Sequence, residues 1–393
     1  MLSTDPAVIE ALRSSQSGGV LGVARYRGAS VDVNIETAGT VTFNGSSDIQ
    51  SSCDVKVIGH GQSLVPRADD AMLAPNGQEL ALWRTVTVGG LTNLIPLGVF
   101  RITRAGDGFE HLRDGVILDW SVELTLEDRF EQIIADDFLA VESPRAGNSV
   151  WGEIQRLSPI PVQQSLTDAA VPPATVYESR MDAIRVLMEI VGGTPHLTRE
   201  GVLTARPRDG WLTVTQPAFD LPGVIEWSDE RTIDFFNQVQ VSNPNTASIV
   251  AYARLDEPWN PRSVQNAGGR TYKHSSPIYT TQAAAQAAAW TILQRVSAQR
   301  ANVVDVVCGP EALLLELGDV GWIRDPVRMR AVYGEVAQLT VPLDPTRPVA
   351  VQVIVALEIE LTEETVDQIT FFTGYPSGAT FPDLELYPSG GAA

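Results

Sequence analysis

The sequence predicts a mainly β protein, α+β overall, in which two β-rich units flank a smaller α+β unit. Segments of alternating polarity, separated by turn dipeptides, occupy the first third of the chain and return in the last third. Between them the hydrophobic period changes to about 3.6 residues, as in amphipathic helices. With 393 residues, the chain is longer than one hydrophobic core usually extends, which favours several domains.

The first β unit is predicted to cover residues 1–124. Its first fifteen or so residues favour a short helix, because Asp5 and Pro6 suit a first turn. Strands are then expected at residues 20–36, 40–44, 48–58, 79–88, 95–104 and 116–126. Turn pairs such as Arg27-Gly28 and Gly89-Gly90 separate them, and such short connections predict antiparallel sheet.

The α+β unit is predicted to cover residues 125–235. Three helical faces are expected, beginning near Leu126, Val150 and Met181. The third helix is preceded by Ser179, with Asp182 at capping-box spacing. A hairpin from residue 195 to 207 then completes the unit, turning at the Glu200-Gly201 pair.

The second β unit is predicted to cover residues 236–361 and to contain an Ala-rich helix at 281–299. Further strands are expected at residues 303–308, 320–324, 331–341 and 349–361. Residues 362–393 contain no Lys or Arg and repeat Tyr-Pro-Ser-Gly. This composition favours an extended arm, and a flexible, disordered tail is an alternative of equal weight. As an arm it would bind a partner through the apolar anchors Phe371, Phe372, Tyr375, Phe381 and Tyr387.

Charge excludes some classes of function. The formal net charge of −20 disfavours nucleic-acid binding, because phosphate contacts require cations. Between residues 106 and 142 there are eleven Asp or Glu residues against Arg113 and Arg129 alone. We interpret this cluster as a negative field, with five leading candidates: Asp107, Glu110, Asp114, Asp119 and Glu123. No segment has the roughly 18 apolar residues of a membrane helix, and no signal peptide is expected.

The sequence offers no candidate catalytic, cofactor or metal residues. Neither a Gly-x-Ser-x-Gly elbow nor a phosphate-binding glycine loop is present. The four histidines, His60, His111, His196 and His274, lack partners at metal-ligand spacing. Cys53 and Cys308 favour buried thiols over a single bridge. We therefore expect a protein that is not an enzyme.

Several segments of the sequence are informative when they are taken in order. One is Pro96-Leu-Gly-Val-Phe-Arg-Ile-Thr, and another is Leu317-Gly-Asp-Val-Gly. The full set is 44–59, 73–84, 96–103, 180–188, 200–207, 236–241, 280–293 and 317–321. Each is a weak motif alone, but together they span about residues 1–360, and in this order they resemble minor tail proteins of actinobacterial siphophages.

The resemblance implies a trimeric tail hub in the tail tip of a virion, assembled in the host cytoplasm. Residues 1–124 and 236–361 would be tube-type β-barrel domains, and residues 125–235 a peripheral domain. Three copies would match a hexameric tail tube above and a threefold tip below. The implied partners are distal tail and tail tube proteins, the tape measure protein and other minor tail proteins. DNA would only pass in transit, along an acidic lumen.

An alternative from another class is a tail-tip protein that binds or degrades carbohydrate. Its sugar platforms would be aromatic side chains such as Trp151, Trp211, Trp227 and Trp259. Exposure discriminates the two hypotheses, because sugar platforms must face solvent, whereas hub aromatics should be buried or at subunit contacts. A hub of a contractile tail is a further alternative that the sequence does not separate from that of a long flexible tail.

Overall fold

The computed structural model describes residues 2, 5–13, 18–172, 176–208, 210, 217–221, 224–230, 235–299 and 303–360. Its helices are α1 (Pro6–Arg13), α2 (Phe130–Ala135), α3 (Val150–Leu157), α4 (Arg180–Ile190), α5 (Val264–Ala267) and α6 (Gln282–Gln299), with a 3₁₀ turn at Pro310–Leu314. The prediction of a mainly β protein with some helices is confirmed.

The first ten described strands all overlap an expected strand or hairpin except the one at Phe109–Arg113, which the sequence did not predict. They are β1 (Gly18–Tyr26), β2 (Ala29–Ile35), β3 (Thr40–Asn44), β4 (Ser51–His60), β5 (Glu79–Val88), β6 (Leu91–Ala105), β7 (Phe109–Arg113), β8 (Val116–Asp128), β9 (Gly193–Leu197) and β10 (Leu203–Pro207). The others are β11 (Phe219–Leu221), β12 (Val224–Glu230), β13 (Gln238–Asn243), β14 (Thr246–Arg254), β15 (Thr271–Ser275), β16 (Val303–Cys308), β17 (Val320–Asp325), β18 (Arg330–Pro342) and β19 (Val349–Glu360).

Six strands of the first β unit form a closed ring of hydrogen-bonded pairs, in the order β2-β1-β5-β6-β8-β4. The ring closes because β4 pairs with β8 along most of its length and with β2 at Asn34 and Ile35. Tight turns at Arg27-Gly28, Gly89-Gly90 and Asp114-Gly115 connect neighbouring strands, and every residue in them has positive φ. Two successive residues of positive φ form the type I′ turn that suits twisted hairpins.

The second β unit contributes β16, β19, β18 and β17, in that spatial order. β12 pairs with β16 at one edge of this set, and β11 pairs with β17 at the other. Because β11 and β12 are consecutive in the chain, the segment from Phe219 to Glu230 borders both edges. One short segment therefore pairs with both edge strands of this set, as in a partly closed barrel.

The two β units share one sheet and one hydrophobic cluster. The long strand β18 pairs with β17 through its first half, and residues Gln338–Pro342 pair with Thr40–Asn44 of β3. The cluster runs from Leu80 and Phe100 in the first unit to Val332 and Val353 in the second. Cys53 and Cys308 are buried free thiols of this core, as the sequence favours.

The α+β unit has a separate core, formed by α2, α3, α4 and the β9–β10 hairpin. Ser149 and Ser179 cap α3 and α4 by accepting hydrogen bonds from Gly152 N and Asp182 N. Leu126, interpreted from sequence as helical, lies in β8, because that strand continues to Asp128 before α2 begins. The hairpin turns at Gly201, whose φ of 76° favours glycine.

Residues 235–299 form what we call the helix–sheet module, in which α6 packs on the three-stranded sheet β14-β13-β15. Its hydrophobic cluster is distinct from that of the continuous sheet. The predicted unit 236–361 therefore contains residues of two clusters. The sequence does not reveal this division, because strands of both clusters show the same alternation.

The arm predicted at residues 362–393, with its five aromatic anchors, lies outside the described residues. Among the helices that the structure describes, none has the length and apolar character needed to cross a membrane.

Candidate functional site: the solvent face of the continuous sheet

The solvent side of β12, β16, β19, β18, β3, β4 and β8 forms one uninterrupted surface, which we call the outer sheet face. Residues on the opposite side of these strands, such as Val306, Leu339 and Val351, are buried in the core. Because strand side chains alternate, the intervening residues face solvent. The face extends across both β units without a break.

Cross-strand register places polar side chains side by side on this face. One row consists of Ser228, Asp305, Gln352, Gln338 and Asn44. Within it, Gln352 Nε2 donates to Asp305 Oδ1 at 2.9 Å. A parallel row runs through Glu226, Val307, Ala350, Thr340, Thr42, Ser52 and Glu127. The surface is thus polar, with carboxylates at intervals.

The β4–β8 end of the outer sheet face is richer in charge. Thr125 lies opposite Asp54, and Glu123 lies opposite Lys56, whose Nζ is also 3.1 Å from Glu36. Farther along β8, burial raises the pKa of Glu127, and the nearby Glu131 carboxylate raises it further. Lys56 therefore stands among several carboxylates.

The five predicted acids do not form one cluster. Asp119 and Glu123 lie on the outer sheet face, on β8. Glu110 projects from β7 to the other side, level with Trp120, where Arg67 donates to its carboxylate. Asp107 lies in the β6–β7 connection, and Asp114 occupies the turn at the end of the β7–β8 hairpin. Alternation and turn geometry separate residues that are close in sequence.

Two histidines that appear isolated in the sequence contact the same carboxylate. His60 Nδ1 is 2.6 Å from Asp119 Oδ1, and His111 Nδ1 is 3.7 Å from Asp119 Oδ2. The three residues face one another across β4, β8 and β7. Only the strand register brings them together, so no local sequence signal could reveal them. No group of three or more potential metal ligands has an arrangement suited to an ion, as far as the described residues extend.

The β7–β8 hairpin exposes an apolar surface that the sequence analysis missed. Phe109, Leu112 and Val116 are 62%, 55% and 61% exposed, and Leu118 and Ile58 lie partly exposed nearby. Val116 and Leu118 alternate as in a half-buried strand, and only the structure shows that no described residue covers these apolar side chains. Exposed apolar patches of this kind mark interaction sites.

A buried cation joins the α+β unit to the continuous sheet. Arg199, in the β9–β10 hairpin, donates to Pro96 O at 3.1 Å and to Leu315 O at 2.6 Å. Its guanidinium also lies 4.9 Å from the centre of the Phe43 ring. Burial lowers the pKa of Arg199 to about 10, while surrounding carboxylates oppose that shift. One side chain thus contacts both β units.

Ionised groups surround this junction. Arg206 contacts Glu316 at 2.9 Å and Asp319 at 3.2 Å. Burial disfavours ionisation of Glu316, but His196 and Arg206 outweigh it and lower its pKa to about 2. Burial raises the pKa of the neighbouring Asp128 to about 7, although Ser51 and Phe130 donate hydrogen bonds to its carboxylate. A cavity of about 20 Å³ lies between these groups, which is room for about one water.

The tryptophans differ in exposure. Trp151 is 2% exposed and belongs to the α+β core. Trp227 packs against the continuous-sheet core, and the Arg330 guanidinium lies 4.7 Å from its ring centre. Trp259, in contrast, is 80% exposed, and Trp211 lies outside the described residues.

The fold is similar to that of solved phage tail proteins. The tail protein from Neisseria meningitidis MC58 has 13% identity and a TM-score of 0.54, and the match covers 85% of this chain and 96% of that one. The 43 kDa tail protein of prophage MuSo2 from Shewanella oneidensis has 13% identity and a TM-score of 0.52, with coverage of 85% and 98%. No protein-family model and no curated protein sequence matches. The chain therefore has a fold found in phage tail proteins.

Proposed function

We propose that the chain is a structural protein of a phage tail, and that three copies form a hub between the tail tube and the tail tip. The observation that carries the proposal is the continuous sheet, which joins two sets of strands within a fold found in phage tail proteins. We also propose that the chain is a minor tail protein similar to those of actinobacterial siphophages, as the sequence resemblance implies.

The strand pairings support two tube-type barrels in each chain. The first ring closes through β4 and β8, and the second set is bordered at both edges by the segment from Phe219 to Glu230. Pairing of β18 with β3 holds the two side by side. Three such chains would present six barrels, which matches a sixfold tube while keeping threefold symmetry.

We propose that the outer sheet face lines the channel for DNA. Its carboxylates, including Glu226, Asp305, Asp54, Glu123 and Asp119, repel phosphate. At physiological salt this repulsion extends about 8 Å, so residues on the wall itself matter most. DNA would then pass through without specific binding. Of the five acids predicted from sequence, this proposal retains Asp119 and Glu123 and leaves the other three outside the wall.

The exposed β7–β8 hairpin supports an assembly contact. Burial of Phe109, Leu112 and Val116 against another subunit or a neighbouring tail protein would remove apolar surface from water. Distal tail, tail tube, tape measure and other minor tail proteins are the proposed neighbours. The protein would thus reside in the virion tail tip and have no catalytic activity.

A second candidate function is carbohydrate binding at the host surface. The observation that favours it is Trp259, which is 80% exposed as a sugar platform requires. Trp151, in contrast, packs within a hydrophobic core, and Trp227 is partly buried against one. Glycan-array binding that Trp259→Ala abolishes would support this candidate, and the hub proposal expects no such binding.

Cryo-electron microscopy of intact tail tips tests the hub. We expect three copies around the DNA path, with the outer sheet face inward. One barrel per chain, or a monomer outside the channel, would refute the proposal. Native mass spectrometry of a Phe109→Ser, Leu112→Ser variant provides a second test. The variant should lose assembly while its unfolding midpoint stays unchanged, and Leu139→Ser, at another exposed site, serves as the control.

A further inference from the structure

The helix–sheet module carries a charge opposite to that of the rest of the chain. Residues 235–299 contain five Lys or Arg residues and two Asp or Glu residues, a formal charge of +3. Since the whole chain has −20, the remainder carries −23. Residues 361–393, in contrast, contain no Lys or Arg and five acids: Glu363, Glu364, Asp367, Asp383 and Glu385. The module and the C-terminal segment are therefore complementary in charge.

The open face of the module places two of its five cations, Arg254 and Lys273, on the same surface as an exposed aromatic ring. Val239, Val241 and Ala251 point toward α6, so alternate residues lie on the opposite, solvent-facing side. There the register aligns one row of Tyr252, Gln240 and Lys273, and a second row of Arg254, Gln238 and Thr271. We call this surface the basic sheet face.

The side chains of the basic sheet face suit an acidic, aromatic peptide. Tyr252 is 63% exposed and offers a ring for stacking, and Lys273 is exposed beside Gln240. Arg254 Nε is 2.7 Å from Asp256 Oδ1, so part of its charge is already compensated. Lys273 is therefore the principal cation on this surface for an incoming carboxylate.

The path of the chain also favours this occupant. The C-terminal segment leaves β19 after Glu360, and α6 of the module packs against β19. Its 33 residues can extend roughly 110 Å, so reach within one chain is not limiting. A tether of this kind also raises the effective concentration of the segment at a nearby surface.

We propose that residues 361–393 dock on the basic sheet face of the same chain, with their carboxylates at Lys273 and Arg254 and an aromatic ring on Tyr252. The edge of β14 is less suitable, because Gln282 and Gln286 of α6 already donate to Val250 O and Tyr252 O. This docking is independent of the proposed hub, since it concerns one chain alone.

Zero-length carbodiimide cross-linking of the full chain tests the proposal, because Lys56 and Lys273 are the only lysines. We expect links from Lys273 to one or more of the five C-terminal acids. Lys56 should link to Glu36, 3.1 Å away, and serves as an internal control. Mixed isotope-labelled and unlabelled copies distinguish the source: links within one copy support the proposal, and links only between copies, or none from Lys273, overturn it.

Limited chymotrypsin digestion of the full chain provides a second measurement. Docking should protect the five aromatic residues of the C-terminal segment from cleavage. The Lys273→Glu variant should be cleaved there roughly tenfold faster, as should the wild type at about 1 M salt, because both weaken charge pairing. The control is Arg347→Glu, which reverses another exposed cation with a 73% exposed side chain. Equal cleavage rates in the wild type and Lys273→Glu would overturn the proposal.

Discussion

At its junction with the continuous sheet, the α+β unit inserts a cation, Arg199, whereas at its junction with the helix–sheet module it presents an anion, Glu189. Arg199 donates to two backbone carbonyls. Glu189 Oε1 instead receives hydrogen bonds from Arg208 at 2.7 Å, His274 at 2.9 Å and Tyr279 at 3.1 Å. One junction thus supplies a donor to two backbone carbonyls, and the other gathers three donors around one carboxylate oxygen.

This difference indicates how each junction should fail. Removal of Arg199 takes a donor away from carbonyls of two different β units, one of them buried, so the damage extends to the relative placement of both. Removal of the Glu189 charge leaves Tyr279 buried, but Arg208 and His274 are partly exposed, so water can replace the lost acceptor for these two donors. We therefore expect the first junction to be the more sensitive.

The largest effect is expected for Arg199→Met. Met retains much of the apolar stem but makes no hydrogen bond, so we expect a loss of about 3 kcal/mol in the free energy of unfolding. Urea unfolding followed by tryptophan fluorescence measures it. Arg104→Met, at an exposed position, is the control and should change stability by less than about 0.5 kcal/mol. Equal effects of the two substitutions would contradict the role of Arg199.

A smaller effect is expected for Glu189→Gln, which keeps an acceptor oxygen but removes the charge. Three donors then face a neutral group, so we expect a loss of about 1 to 2 kcal/mol. Hydrogen exchange should increase in β15 and the following loop to Tyr279, but not in β4 or β8. Glu178→Gln, at an exposed site just before α4, is the matched control. Faster exchange in β4 as well would mean that the two junctions are not separate.

Sequence patterns predicted local structure well and long-range contacts poorly. Ser179 and Asp182 indicated the start of α4, and Glu200-Gly201 indicated the hairpin turn, because caps and turns depend on near neighbours. The contact of Arg199 with Pro96 and Leu315 depends instead on how distant segments pack.

The same reason explains the incomplete prediction of the outer sheet face. Asp119 and Glu123 were candidates because acids cluster in sequence, but Asp305 and Glu226 join them only through the pairing of distant strands. Period-two alternation predicts on which side of a strand a residue lies, but it does not predict which strands are neighbours.

The carboxyl groups at the two junctions should also respond to pH in two directions, with Glu189 and Glu316 opposite to Asp128. Interactions at Glu189 and Glu316 lower each carboxyl pKa from 4.5 to about 2, so their stabilisation is complete above pH 4.5 and is lost as pH falls toward 2. Burial raises the pKa of Asp128 from 3.8 to about 7, so the folded state holds its proton longer. That group lowers the free energy of unfolding as pH rises from about 4 to 7.

The substitution Asp128→Asn removes the ionisation of Asp128 and so isolates its contribution to the pH dependence of stability. Asn cannot accept hydrogen bonds from Ser51 and Phe130 with both side-chain atoms, so the variant should be less stable throughout. The stability difference from wild type should be largest near pH 4 and shrink toward pH 7, because only the wild type loses a proton there. Urea unfolding at several pH values measures it. A difference that stays constant with pH would contradict the raised pKa of Asp128.

The smallest effect on stability is expected on the outer sheet face, where the effect on function should be largest. Reversal of Asp54, Asp305 and Glu226 to Arg changes exposed groups, so the free energy of unfolding should change by less than about 1 kcal/mol.

If these residues line the channel, the new cations would attract phosphate within about 8 Å, and DNA ejection from assembled virions should slow or stop. Reversal of Glu10, Asp32 and Glu178 to Arg, exposed acids on elements outside this face, controls for net charge. Equal ejection rates for both variants would remove the electrostatic argument for a channel wall. Loss of assembly in the first variant alone would indicate instead that the face contacts another protein, because buried like charges oppose association.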